Sequence, residues 1–171
     1  MTLMTKNSPP ITRVEPDPRR WRVLGIASIA QYLAILDIFA VTVAFPSLQR
    51  SFGHASVGQV SWVLNAYTIV MAALLVPAGR LADDTSRKKG FLIGIALFGL
   101  ASLGCAAAPD LPVLIGARVV QAVAAAVLVP TALGLALPGF EKREHATVMG
   151  IWTAVAAAGA GSGPVIGGLL L

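Results

Sequence analysis

Two charged side chains stand where charge is expensive. Asp37 interrupts an apolar run that begins at Val23, and Arg118 interrupts another that begins at Leu111. At the centre of a membrane helix each would cost roughly 2.5–3.5 kcal/mol, so neither is there by default. At about 1.5 Å of rise per residue, Asp37 lies about 21 Å from one end of its run and Arg118 about 10 Å from the opposite end of its own. In a hydrocarbon core about 30 Å thick these depths nearly coincide. The chemistry on offer is an intramembrane ion pair, direct or through water, with separate snorkelling to headgroups as the competing arrangement. Gln121, one turn from Arg118, can join that polar face. Gln31 and Asn65 place amides on other runs, where helix packing is the commoner role.

A second cluster is "GRLADDTSRKKG", Gly79 to Gly90. Asp83 and Asp84 follow the C-terminal end of one expected helix, and Arg87, Lys88 and Lys89 precede the N-terminal end of the next. Both placements oppose the helix dipoles. Topology accounts for the basic residues but not for the carboxylates, which predicts partners for them: the nearby cations, or a helix N-terminus elsewhere. A solvated charged turn is the alternative.

Other chemistries lack their residues. Cys105 is the single cysteine and lies inside an apolar run, so there is no intrachain disulfide and no zinc or redox spacing. The glycine-rich stretch "AGAGSGPVIGGLLL", Ala158 to Leu171, has neither the lysine nor the hydroxyl residue of a phosphate loop, and no strand precedes it. With no nucleophile and base, no metal cluster and no cofactor loop, an enzyme is the least expected class, and neither cofactor nor metal is expected.

The elements that must position these residues follow from composition. The 171 residues are 56% hydrophobic and 12% charged, with mean hydropathy +0.78. These values lie far outside soluble averages, and the charges are confined to short stretches between apolar runs of membrane-spanning length. We expect an all-α, multi-pass membrane bundle with five helices, at about 23–45, 59–81, 90–108, 111–137 and 146–171, after a flexible tail over 1–22 that contains four prolines. Arg19 and Arg20 superficially resemble a twin-arginine export signal, but the apolar stretch runs to Pro46 without a cleavage site. The net charge of +5 forms no stripe with interleaved aromatics, so nucleic acid is not an expected partner. Eleven Lys and Arg residues fall on the side of the N-terminus and only Arg50 on the other, which predicts a cytoplasmic N-terminus.

These residues resemble the major facilitator superfamily, over essentially everything after the tail. Gly79, Leu81, Ala82, Asp83, Arg87 and Lys88 match its cytoplasmic-loop signature, with Asp84 where a basic residue is usual and Ser86 where a glycine is usual. Three further stretches are similar to its drug/proton antiporter branch, particularly the group with two extra helices. Leu36, Asp37, Val41, Val43, Ala44 and Pro46 match the first-helix signature, with Phe39 at a common threonine position and Thr42 at a common asparagine position. Trp62, Ala66 and Tyr67 match the second-helix opening, and Leu114, Arg118 and Gln121 the fourth-helix signature, where Ala122 replaces the usual glycine. Gly159, Gly163, Pro164, Gly167 and Gly168 agree with the fifth-helix antiporter motif; Gly159, Gly163 and Gly167 repeat every four residues on one face, where another helix can approach closely, and Pro164 adds a local break.

The resemblance implies that Asp37, Arg118 and Gln121 belong to proton coupling and translocation, and that Gly79, Asp83, Arg87 and Lys88 belong to a cytoplasmic gate. It also implies proton-coupled efflux of small amphipathic compounds from the cell membrane. Transporters of this family are built from six-helix halves with substrate between them. Five helices therefore suggest an N-terminal portion, with a C-terminal half or complementing subunit as partner and no intramolecular counterpart for the glycine face. The competing expectation is a non-transporting remnant or interaction partner that associates through those glycines.

Overall fold

A computed structural model describes residues 18–53, 55–84 and 86–169, with the Asp83 side chain outside that description. Every long element is helical: α1 (Arg20–Ser51), α2 (Val57–Asp84), α3 (Arg87–Ala106), α4 (Leu111–Ala136) and α5 (His145–Leu169). All five are long and apolar enough to cross a membrane. Most of the expected tail, residues 1–17, lies outside the described residues, but Arg20 and Arg22 already belong to α1.

The helix starts have identifiable causes. Ser56 and Gln59 bond reciprocally before α2, the Ser56 hydroxyl accepting from the Gln59 N–H and the Gln59 side chain accepting from the Ser56 N–H at 2.9 Å. Ser86 caps α3 by accepting from the Lys89 N–H, and Asp110 caps α4 by accepting from the Val113 N–H at 2.9 Å. Two boundaries depart from expectation. Helix α1 continues through Pro46 to Ser51, because an internal proline removes one backbone donor, which a membrane helix tolerates. Asp83 and Asp84 close α2 instead of following it, and Arg87, Lys88 and Lys89 form the first turn of α3, because the Ser86 cap starts that helix immediately.

Helix α4 is the hub, packed against α1, α2 and α3, while α5 packs against α1. Half of the apolar window of α4 is buried, against 17–28% in the other four. Small residues make this possible: Ala122, Ala124, Ala125, Ala126 and Ala132 of α4 are fully buried. A Cβ on Gly94 of α3 would lie 3.1 Å from the Leu128 backbone of α4, and one on Gly90 would lie 2.9 Å from Thr131. Backbones approach this closely only without side chains, the usual basis of association where water supplies no hydrophobic drive. The outward faces are apolar, with Leu100, Leu103, Ile93 and Val165 more than 60% exposed. Exposed aliphatic residues along spanning helices mark a surface that meets lipid.

The glycine face of α5 has a counterpart within the chain, contrary to expectation. A Cβ on Gly159 would lie 3.0 Å from the Tyr32 carbonyl, one on Gly163 3.0 Å from the Leu36 carbonyl, and one on Gly167 3.1 Å from the Ala40 carbonyl. The face therefore docks on the backbone of α1. Beside it, Ser162 donates to the Ala158 carbonyl at 2.7 Å, so its oxygen is left to accept from the Tyr32 hydroxyl, also at 2.7 Å.

Candidate functional site

Asp37 comes from α1 and Arg118 from α4, and the fold places them in contact. Arg118 Nη1 donates to Asp37 Oδ2 at 2.5 Å. Separate snorkelling is thereby excluded. The two ends of the pair differ in access: the Arg118 side chain is 2% exposed and that of Asp37 23%. The pair is therefore reached from the aspartate side.

Gln121 closes the arrangement into a triangle. Its carbonyl accepts from Arg118 Nη1 at 2.7 Å, and its amide N–H donates to Asp37 Oδ1 at 3.1 Å. An amide can serve both ions at once, accepting from the guanidinium, which only donates, and donating to the carboxylate, which only accepts. The guanidinium also lies over the ring of Tyr67 in α2, 4.5 Å from its centroid, and Nε donates to the Val63 carbonyl at 3.5 Å. Four helices thus converge on one charge pair when Ser102 of α3, which accepts from Gln121, is included. Reading by residue type missed Ser102, Cys105, Val63 and the position of Tyr67. Only Tyr67 carried a signal, through its place in the second-helix match. Of the other expected amides, Gln31 is buried on α1 away from this cluster's bonds and Asn65 is exposed.

The α5 glycines bear on the same place. Gly163 approaches the Leu36 carbonyl and the Ala40 N–H, on either side of Asp37. Pro164 and Gly168 follow it, Gly168 with only Val43 nearby, 3.9 Å from where a Cβ would stand. The position of the carboxylate along α1 is therefore braced from behind by a backbone contact.

At the basic end of the bundle, Arg87 Nη1 donates to the Gly134 carbonyl at 2.8 Å. Arg87 opposes the dipole of its own helix but complements that of α4, whose last carbonyls lack helical partners. A Cβ on Gly134 would stand 3.0 Å from the arginine side chain, so this glycine, which sequence reasoning did not single out, opens the seat. Gly79 packs near Pro130 of α4, Lys88 is exposed, and Asp83 is placed by backbone alone, so the expected loop set is gathered only in part. Across the same end, Arg20 pairs with Glu144 at 2.7 Å and stacks over Phe140, fastening the start of α1 to the α4–α5 turn. The Glu141 backbone N–H, and then the charge of Arg20, hold the Glu144 carboxyl below the usual carboxylate range. No group of three or more His, Cys, Asp or Glu suited to a metal ion occurs among the described residues.

A family model described as Major Facilitator Superfamily matches residues 27–171. A puromycin resistance protein of Streptomyces alboniger is 44% identical over 91% of the chain, which covers 31% of that relative. A multidrug resistance protein of Mycobacterium tuberculosis is 41% identical over 82% of the chain and 26% of the relative. A methylenomycin A resistance protein of Streptomyces coelicolor is 39% identical over 81% of the chain and 29% of the relative. The chain thus spans under a third of the length of these relatives.

Proposed function

The chain belongs to the major facilitator superfamily, and from that premise we propose that it serves proton-coupled export of small amphipathic compounds, with Asp37 as the group that takes up and releases the proton. It lies in the cell membrane with its N-terminus in the cytoplasm, as the eleven basic residues on that side favour. The relatives named for resistance to puromycin, to methylenomycin A and to multiple drugs support the substrate class. On this reading the chain moves solutes without making or breaking covalent bonds in them. A complementing transporter half supplies the other wall of the substrate path.

One observation carries the proposal: a partly accessible carboxylate paired with a fully buried guanidinium inside the membrane. With Asp37 ionised, Arg118 is neutralised and α1 is tied to α4. A proton on Asp37 cancels that attraction and leaves Arg118 buried as an uncompensated charge, a state costly enough to drive rearrangement. The Tyr67 ring, the Val63 carbonyl and the Gln121 carbonyl do not lose charge in that step, so they retain Arg118 while α1 is released. Solute and proton can then alternate at one place. Arg87 on the α4 carboxyl end, together with Gly79, Asp83 and Lys88, is our candidate for the cytoplasmic gate.

The test is transport by the whole protein in inverted membrane vesicles under an imposed proton gradient. Asp37→Asn should abolish proton-driven export of a dye such as ethidium while leaving membrane insertion intact. Full export by that variant would remove Asp37 from the mechanism.

A further inference from the structure

Gln121 has four hydrogen-bonding positions on its amide, and all four are occupied. Two go to the ions. The others go to α3: Nε2 donates to Ser102 Oγ at 2.8 Å, and Oε1 accepts from the Cys105 thiol at 3.7 Å. Ser102 and Cys105 are one turn apart and so share a face of α3. The directions of these bonds are determined without reference to hydrogens. Ser102 has one proton, which it donates to the Phe98 carbonyl at 2.8 Å, leaving its oxygen able only to accept from Gln121. Gln121, Ser102 and the Phe98 carbonyl therefore form a chain of bonds polarised toward Phe98, while the second N–H of the same amide nitrogen points the other way, to Asp37.

We infer that Ser102 and Cys105 are positioning residues for the Asp37–Arg118 pair, clamping the Gln121 amide so that its N–H is held on the carboxylate and its carbonyl on the guanidinium. The clamp rests on the reading of Asp37 as the proton-exchanging group. It gives α3, whose outer face meets lipid, a part in holding the amide against both ions. Releasing the clamp lets the amide turn, so that its N–H leaves the carboxylate and its carbonyl leaves the guanidinium. The titratable and charged groups near Asp37 are Arg118 from α4, Tyr67 from α2 and Cys105 from α3. Helix α5 brings none, since its only ionisable residue is His145 at the far end.

Infrared spectroscopy of the purified chain in lipid reads this directly, through the Asp37 carboxylate stretch, the band that is present in the wild type and missing in D37N and whose position reports the hydrogen bonds the carboxylate accepts. Ser102→Ala should shift and broaden that band as the Gln121 N–H leaves it. Ser102→Thr, which keeps the hydroxyl, and Cys105→Ser should keep the wild-type band, and Cys105→Ala should shift it in the same direction by less. Loss of a merely structural contact would lower stability without moving the band. An unchanged band in both S102A and C105A overturns the clamp. If S102A does not purify folded, C105A decides by the same two outcomes. The transport reading fails separately: D37N that exports in full, beside a shifted S102A band, sinks that reading and leaves the clamp standing.

Discussion

Nη1 of Arg118 serves two acceptors at once, Asp37 Oδ2 and Gln121 Oε1, while Nε reaches the Val63 carbonyl and the plane of the group stacks on Tyr67. A lysine offers one point of charge and no plane, so it cannot reproduce that set. Arg118→Lys is expected to reduce proton-driven export about tenfold or more at unchanged expression, the equivalent of roughly 1.4 kcal/mol in the pair. Exchange of the two charges, Asp37→Arg with Arg118→Asp, tests the pairing itself: the double variant should insert and fold better than either single one, each of which sets two like charges side by side. If the double is no better in a thermal-unfolding assay, the contact does not hold the helices together. These two residues were legible in the sequence because depth is arithmetic, rise per residue against core thickness, and charge inside an apolar run is conspicuous. Ser102 and Cys105 were not, since small polar side chains in an apolar helix cost little and so announce nothing.

Between helices, the decisive quantity is how closely backbones approach. Within the antiporter-like run the glycines are unequal: Gly163 has the Leu36 carbonyl 3.0 Å from a would-be Cβ, whereas Gly168 has nothing nearer than 3.9 Å. Gly163→Ala should therefore push α5 off α1 and destabilise the bundle by about 1–3 kcal/mol, seen as a lowered Tm by circular dichroism in detergent. Gly168→Ala should stay within about 0.5 kcal/mol of wild type. Equal effects would mean that the close approach is not what these glycines are for. Gly134 invites a parallel test, since Gly134→Val fills the seat of Arg87 against the end of α4. Its expected outcome is faster labelling of a cysteine introduced at Lys88, reporting a looser basic end. The glycine repeat in α5 was readable from its spacing, but its partner was not, because a small-residue face does not name the helix that covers it.

At the scale of the whole molecule, the five spanning helices of the described residues and the distribution of Lys and Arg make a topology that can be checked at each connection. Alkaline phosphatase, active only outside the cytoplasm, should be active when fused after residue 53 or residue 109 and inactive after residue 84 or residue 141. The reverse pattern would invert the access path to Asp37 and with it the direction of coupling. The hub position of α4 ties these scales together. It carries Arg118 and Gln121, seats Arg87 at one end, and touches α1, α2 and α3, so a movement of α4 is felt at the charge pair and at the basic end together.

The sequence by itself determined the class of the molecule, the five spanning helices of the described residues, the expected sidedness, the expected depth of Asp37 and Arg118, and the family. Each of these depends on local composition, length or motif order, which a chain carries whether or not it is folded. Only the tertiary structure decided that Asp37 and Arg118 touch, that α1 covers the α5 glycines, and which face of α3 meets Gln121. These are rotations and offsets of helices about their own axes. They are fixed by close packing such as that of Gly94 on the Leu128 backbone, and a periodicity of small residues can require such contacts without saying between which elements they form.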